Sequence, residues 1–317
     1  AFNRWEAGQR LSLGRLLAAL PGDGDLPPLD DAYVQALRRV LRDPALDPAF
    51  KDQVLLLPSE AYVAECVGSE VNPQRIHRLR EQLRGQIAAA LRDDWAWAFE
   101  AHQVREGYRP SPDQAGKRAL ANQALRLLVL DAVASGDAVW PGRAYQRFKD
   151  AGNMTDQANA LQALVSSGHA LAAPALARFH AMFKHEDLVL DKWFALQAGA
   201  PDRGGNVLPA VRQLMTHPDF NIRNPNRARS VIFSYCSANP GAFHRPDAAG
   251  YVFWSERVIE LDAINPQVAA RLARSLDRWS KLAEPYRSAA REAITRVAAK
   301  SDLSNDVREV VTRALAS

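Results

Sequence analysis

The sequence predicts an all-α fold, specifically an irregular α-solenoid of the HEAT or armadillo kind. Three observations predict it. Apolar residues recur with a period near 3.6 in segment after segment. Almost no stretch alternates apolar and polar residues as a half-buried strand would. The segments are mostly about three to five turns long with short connections, and helices of that kind bury their apolar faces by stacking in antiparallel pairs.

The first element begins close to the first residue. Leu13, Leu16, Leu17 and Leu20 stand at helical intervals, and Trp5 precedes them by about two turns. Almost no residues precede this helical pattern. We therefore expect the chain to be a fragment cut at a domain boundary.

The next helices follow the same periodicity, and two of them carry a clear start signal. An Asn or Ser whose side chain can cap the helix precedes a proline, whose missing N–H costs nothing at the first helical position. These pairs are Asn72-Pro73 and Ser111-Pro112. The helices predicted in this half of the chain run over 31–42, 48–56, 59–67, 73–102, 112–134 and 141–151.

The second half is built in the same way, with three more start signals. They are Asn224-Pro225, Asn239-Pro240 and Asn265-Pro266. The predicted helices here run over 155–167, 174–184, 188–198, 207–216, 225–238, 250–261, 266–282, 285–299 and 305–316. No long Pro-, Gly- or Ser-rich linker divides the chain, so we expect one domain over residues 1–317.

Composition argues against a nucleic-acid partner. The net charge is +4, from 40 basic and 36 acidic residues. Basic stretches such as "RIHRLREQLR" alternate with apolar residues at helical spacing, which is typical of a solvated helix face. No aromatic residues interleave them as a platform for stacking bases would require.

The two cysteines, Cys66 and Cys236, lie in apolar helical patterns and are interpreted as small buried hydrophobes. That usage fits a reducing compartment. No apolar run approaches the ~20 residues that span a bilayer, and the N-terminus has no secretory pattern. We expect a cytoplasmic protein that does not contact membranes.

The stretch "HEDLVLDKWFALQA" resembles half of a zinc-peptidase helix. Such a helix needs histidines at i and i+4 with a glutamate after the first. His185 and Glu186 are present, but Val189 stands at i+4. His180 is five residues earlier and would point about 140° away on a helix. One histidine cannot hold the ion.

The remaining histidines have no ligand spacing either, and each is interpreted as a surface or capping residue. They are His77, His102, His169, His217 and His244. "DRGGN" lacks the strand and the lysine of a phosphate-binding loop, and "GYVFW" has no nucleophile at its centre. The sequence predicts no catalytic residue, metal ligand or cofactor in this chain.

Several motifs together resemble a known family. "NMTD", "LVLDKWFALQA", "NPNRARS", "NPGAFH", "GYVFW" and "NPQVAARL" occur in this order between Asn153 and Leu272. Their order and spacing are similar to those of the C-terminal helical domain of bacterial aminopeptidase N. "FNRW" and "LPSEAYVAE" extend the resemblance over essentially the whole chain.

The resemblance implies a function. In that family the zinc-binding helix and the motif that binds the substrate's free amine lie in a preceding catalytic domain. Neither of these motifs occurs in this sequence. The chain is then the C-terminal domain of a larger zinc aminopeptidase, without catalysis of its own. The family's domain closes as a superhelical bowl over the active site, so the implied partners are the catalytic domain of the same polypeptide and peptide substrates.

The resemblance also implies residues that contact the peptide beyond the scissile bond: Arg229, Gln267 and Arg271. Gln267 and Arg271 are four residues apart, so they share a helix face. A guanidinium suits a peptide's C-terminal carboxylate because the two pair bidentately. Surface solvation or an interhelical hydrogen bond is the alternative for each residue.

Two other functions stay open at this point. A free-standing α-solenoid could bind protein partners on its concave face. Nucleic-acid binding through the arginines would show steep salt dependence.

Overall fold

Helices dominate the computed structural model, which describes the backbone of residues 2–316 and the side chains of residues 3–316. The only bridge between extended segments in that range is parallel and joins Val71 to Leu282. The predicted all-α class is therefore confirmed. Ala1 and Ser317, the end residues of the expected domain of 1–317, lie outside the described residues.

The α-helices are α1 (Phe2–Ala19), α2 (Asp31–Arg42), α3 (Pro48–Leu55), α4 (Glu60–Val67), α5 (Pro73–Ala90), α6 (Arg92–Ala101), α7 (Pro112–Ser135), α8 (Val139–Asp150), α9 (Met154–Ser167), α10 (Ala172–Phe183), α11 (Asp187–Ala198), α12 (Val207–Met215), α13 (Pro225–Ala228), α14 (Ser234–Cys236), α15 (Pro240–Phe243), α16 (Ala249–Asp262), α17 (Pro266–Ala273), α18 (Tyr286–Ala298) and α19 (Asn305–Ala316). A π-helical segment, Arg229–Phe233, connects α13 to α14. Two 3₁₀ turns, Arg274–Leu276 and Trp279–Lys281, follow α17.

Contacts group the chain into two compact units. The first contains residues up to Ser59 and Arg78–Phe179, and the second contains Glu60–His77 and the residues from His180 onwards. The expectation of a single domain stays a prediction.

Helix α7 lies at the centre of the first unit. It packs against α3, α6, α8 and α9, and buried residues occur all round it rather than on one stripe. At Gly116 a Cβ atom would come within 2.9 Å of the backbone nitrogen of Ala49. Glycine is thus what lets α3 approach α7 so closely.

An aromatic cluster forms the core of the second unit. Its members are Tyr235, Phe243, Tyr251, Phe253 and Trp254, none more than 1% exposed. Several of the rings meet edge to face, with centroids 5.4–5.8 Å apart, the arrangement that aromatic quadrupoles favour. The "GYVFW" motif supplies three of the five residues and is therefore a core motif.

Four of the five predicted start signals are confirmed as side-chain caps. The side chains of Asn72, Ser111, Asn224 and Asn265 each accept a hydrogen bond from a backbone N–H two or three residues on. Asn239 does not cap its helix. Its amide instead donates to the carbonyls of Ala198 and Ala200, at 3.1 and 2.7 Å. It thereby supplies a hydrogen-bond donor for backbone carbonyls at the C-terminal end of α11.

Three predicted helices are interrupted. The helix predicted over 73–102 breaks at Leu91, whose φ of −116° and ψ of 23° are not helical. The break separates α5 from α6, where Trp95 is fully buried and its Nε1 donates to the Ile87 carbonyl. The helix predicted over 225–238 contains the π segment, and the one over 266–282 ends at Ala273.

The prediction that both cysteines are buried is confirmed for Cys236 and wrong for Cys66. Cys236 is buried, and burial raises the pKa of its thiol well above the usual value. Cys66 is exposed and lies on α4, where Val63 is the one buried residue among eight.

Candidate functional site

Arg227 fixes the segment that follows Asn224 to α11. Its side chain is 4% exposed, and the guanidinium donates to Asp191 at 2.6 Å and to Asp187 at 3.3 Å. It also donates to the carbonyl of Asp219. A buried charge needs such partners, so the role of Arg227 is structural.

Arg229 lies two residues further on and is the first residue of the π-helical segment. Its side chain is exposed and donates from Nη1 to the Asn226 side chain at 3.3 Å. The wider turn of a π segment redirects side chains and recurs at functional sites. The guanidinium of Arg229 therefore faces solvent, where a ligand can reach it, whereas that of Arg227 does not.

Gln267 and Arg271 lie on α17. Asn265 caps this helix through the backbone N–H of Val268, and Val268, Ala269 and Leu272 are buried. Gln267 and Arg271 are both exposed, one turn apart. Within residues 3–316 neither side chain has a hydrogen bond or an ion pair, so both are free to bind a ligand.

The segments that carry these three residues meet at one point. The hydroxyls of Ser237, just after α14, and Ser275, just after α17, are 2.7 Å apart. No hydrogen bond or ion pair in the described part of the chain joins Arg229 to Gln267 or Arg271. The structure thus places Gln267 and Arg271 together and leaves Arg229 separate; contact with a substrate stays a prediction for all three.

The "NPGAFH" turn is held by a residue that the sequence analysis did not single out. The side-chain amide of Gln74, near the start of α5, donates to the carbonyls of Gly241 and His244, both at 2.7 Å. In the same turn, a Cβ atom on Gly241 would come within 2.3 Å of the His77 ring. The close approach of the His77 ring therefore explains the glycine at position 241.

His244 is held neutral inside this turn. Its Nδ1 lies 2.8 Å from the hydroxyl of Tyr251. Burial lowers the pKa of His244 to about 4 and raises the pKa of Tyr251 far above the usual value. Neither group changes its protonation near neutral pH, so the pair is a structural hydrogen bond.

Three side chains that the sequence leaves apart come together at the end of α10. His180 Nε2 lies 2.6 Å from Asp219 Oδ2, and His217 Nδ1 lies 3.7 Å from the same oxygen. The hydrogen bond to His180 lowers the pKa of Asp219, and burial lowers the pKa of His217. No local spacing signals this cluster, because His180 and Asp219 are 39 residues apart.

The His185-Glu186 pair does not belong to a zinc-binding helix. Helix α11 begins at Asp187 with Glu186 as its N-cap residue. His185 precedes that cap and lies in a turn, so it does not share a helix face with any residue of α11. The donor set of a zinc peptidase does not assemble here.

Comparison with known families identifies the fold. The family model described as "Domain of unknown function (DUF3458_C) ARM repeats" matches residues 1–316. The chain belongs to the DUF3458_C family. The ARM-repeat description of this DUF3458_C family agrees with the solenoid class that the sequence predicts.

Curated relatives of this DUF3458_C chain carry the name Aminopeptidase N. The protein from Caulobacter vibrioides is 36% identical over 314 residues, and that from Escherichia coli is 34% identical over 317 residues. Each comparison covers 99% of this chain and 36% of the relative. The resemblance inferred from the motifs is thus confirmed, and the chain spans about a third of the length of these relatives.

A solved structure shares the fold of the DUF3458_C chain. It is that of Legionella pneumophila aminopeptidase A in complex with aspartic acid, with a TM-score of 0.87 and 24% identity. The match covers 99% of this chain and 37% of that one. Among the described residues, none of the helices combines the length and the apolar character needed to cross a membrane.

Proposed function

We propose that this chain is the C-terminal domain of a zinc-dependent aminopeptidase, where it contacts the peptide beyond the scissile bond and controls access to the active site. The observation that carries the proposal is the pair Gln267 and Arg271, exposed on one face of α17 without a partner in the described residues. The relatives named Aminopeptidase N support it, because this chain accounts for only part of their length.

The chemistry of the pair suits a peptide. The guanidinium of Arg271 can donate two parallel hydrogen bonds to a C-terminal carboxylate. A charge-assisted bond of this kind contributes about 1.5–3 kcal/mol when it is shielded from water. The amide of Gln267 can both donate to and accept from the peptide backbone one turn away. Arg229, exposed on the π-helical segment, is a separate candidate for contact with the peptide.

The zinc ion and the hydrolysis itself belong to another segment of the same polypeptide. Val189 stands where a second histidine ligand would be needed, and His185 lies outside the helix. No step of peptide hydrolysis is therefore assigned to a residue of this chain, and we expect it to be inactive alone.

The first test is peptidase activity on an alanyl chromogenic substrate with added zinc. We expect activity in the full-length protein that carries this chain and none in the chain by itself. Hydrolysis by the chain alone would contradict the assignment. Inactivity of the full-length protein would contradict it as well and would favour the alternative of a free-standing α-solenoid scaffold.

The second test concerns Arg271. In the full-length protein Arg271→Ala should raise KM for tripeptides and longer peptides about tenfold, since one charged contact is lost, and should leave single amino-acid amides nearly unchanged. Arg291→Ala is the matched control, because Arg291 is an exposed arginine on α18. Equal losses on both substrate types, or equal losses in both variants, would contradict a direct contact.

A further inference from the structure

Two short pieces of backbone bring His180, His217 and Asp219 together in the second unit. His180 lies in the last turn of α10. His217 and Asp219 lie in the tight turn after α12, where the Asp219 N–H donates to His217 Nδ1 at 3.1 Å and the Phe220 N–H donates to the His217 carbonyl at 2.9 Å. Pro218 separates the two and restricts the turn further.

We propose that these three side chains bind a divalent transition metal of the zinc class. Their ligand atoms all lie within 4.8 Å of one another. Two imidazoles and one carboxylate form a donor set that suits Zn²⁺, Co²⁺ or Ni²⁺, whereas Mg²⁺ and Ca²⁺ prefer oxygen ligands.

The two separations that involve Asp219 lie on either side of the value that zinc requires. Ligand atoms around a tetrahedral zinc ion, at bond lengths of about 2.1 Å, are roughly 3.3 Å apart. Asp219 Oδ2 is now closer than that to His180 and further than that from His217, at 2.6 and 3.7 Å. A movement of the carboxylate away from His180 and towards His217 would bring both separations closer to this value. His217 would exchange its bond from the Asp219 N–H for the metal.

Aromatic packing limits the freedom of both imidazole rings. The Trp193 ring lies 4.9 Å from that of His180 and 5.2 Å from that of His217, measured between centroids. Phe194 packs edge-on against His217 at 5.7 Å. Ligands held in place before the metal arrives lose less entropy when they bind it.

The positive charge of the neighbouring Arg227 is offset by its own partners. The guanidinium of Arg227 donates to the backbone carbonyl of Asp219. It is already paired with Asp187 and Asp191. These two carboxylates offset the charge of the guanidinium, so it opposes a cation beside the Asp219 carboxylate less than an unpaired arginine would.

The cluster is open to solvent on one side. The side chains of His180, His217 and Asp219 are 23%, 28% and 35% exposed. Water can complete the coordination, and the ion can enter and leave. We therefore expect an exchangeable site that ties the last turn of α10 to the turn after α12.

The test uses the full-length protein, stripped of metal and titrated with Co²⁺ and Zn²⁺. His180→Ala and His217→Ala should each bind one metal equivalent fewer than the wild type and lose the matching share of the Co²⁺ d–d absorption. His185→Ala is the matched control, because His185 is an exposed histidine five residues from His180 and outside the cluster, and it should bind as the wild type does.

A loss of one equivalent is expected whether or not a catalytic zinc is present, so this result is independent of the proposed function. Asp219→Asn provides a second variant that keeps an acceptor for His180. Because the loss of an outer-shell partner alone weakens a metal site about tenfold or more, the loss of the carboxylate ligand should weaken this one at least as much. Equal metal content in the wild type and all these variants would overturn the proposal and leave the cluster as a hydrogen-bonded contact.

Discussion

The indole Nε1 of Trp254 donates a hydrogen bond to the carbonyl oxygen of Leu272 at a distance of 3.0 Å. Both residues are fully buried. The bond joins α16 to α17, and α17 carries Gln267 and Arg271. The position of the proposed peptide-contacting pair therefore depends on a core aromatic residue.

Trp254→Phe should lower the free energy of unfolding by about 2–4 kcal/mol, because it opens a cavity and leaves the Leu272 carbonyl without its donor. Urea denaturation measures this directly. Leu188→Ala removes carbons from a residue that is 70% exposed and should change stability by less than about 0.5 kcal/mol. Equal effects of the two substitutions would show that the core role of Trp254 is wrong.

The two carboxylates that pair with Arg227 should differ sharply in importance. Asp191 is 15% exposed on its side chain and Asp187 is 83% exposed. Asp191→Asn should cost about 3 kcal/mol, since it leaves a buried guanidinium poorly compensated. Asp187→Asn should cost less than about 1 kcal/mol, because solvent screens that pair. Chemical denaturation of both variants measures the two losses of stability. A larger loss for Asp187→Asn than for Asp191→Asn would contradict the structural role given to Asp191.

Gly250 should not tolerate a side chain. A Cβ atom there would come within 2.0 Å of the Phe243 carbonyl oxygen. Gly250→Ala should therefore cost about 3 kcal/mol or more, through backbone displacement. Gly85→Ala, inside α5 with nothing within 4 Å of the added atom, should instead stabilise by about 0.5–1 kcal/mol. Thermal unfolding of the two variants measures both the predicted loss and the predicted gain of stability.

Stability should fall between pH 6.5 and pH 4 because of His244. The pKa of His244 is lowered to about 4 in the folded state from its ordinary value of 6.5, so within this window the unfolded chain binds more protons. The stability that comes from keeping His244 neutral is fully present above pH 6.5 and is lost as the pH falls towards 4. It amounts to at most about 3 kcal/mol.

His244→Gln removes the titrating group and should flatten that part of the profile. The measurement is the difference in urea midpoint between wild type and variant at pH 7.5, 6 and 5. A difference that stays constant across this range would disprove the assignment to His244.

Much of the fold could be predicted because its signals are local. Asn265 caps α17 through Val268, as the Asn-Pro pair predicts, and the i,i+4 spacing of Gln267 and Arg271 places both on its exposed face. Such features depend on dihedral preferences and periodicity within a few residues of chain.

The features that escaped prediction depend on distant contacts. The break at Leu91 accompanies the burial of Trp95, which periodicity alone cannot detect. Asn239 has the pattern of a cap, yet its amide bonds to Ala198 and Ala200, about 40 residues earlier. The pairing of His180 with Asp219 is of the same kind.

The π-helical segment Arg229–Phe233 has a consequence for insertions and deletions. A π turn accommodates one more residue than an α turn, so it shifts the helical phase of the residues after it by about 100°. This offset is what lets Arg227 point at Asp191 while Tyr235 lies in the aromatic core. Deleting one residue from the segment would restore a regular helix and force one of the two side chains out of place. The packing on both sides of this stretch therefore constrains its length.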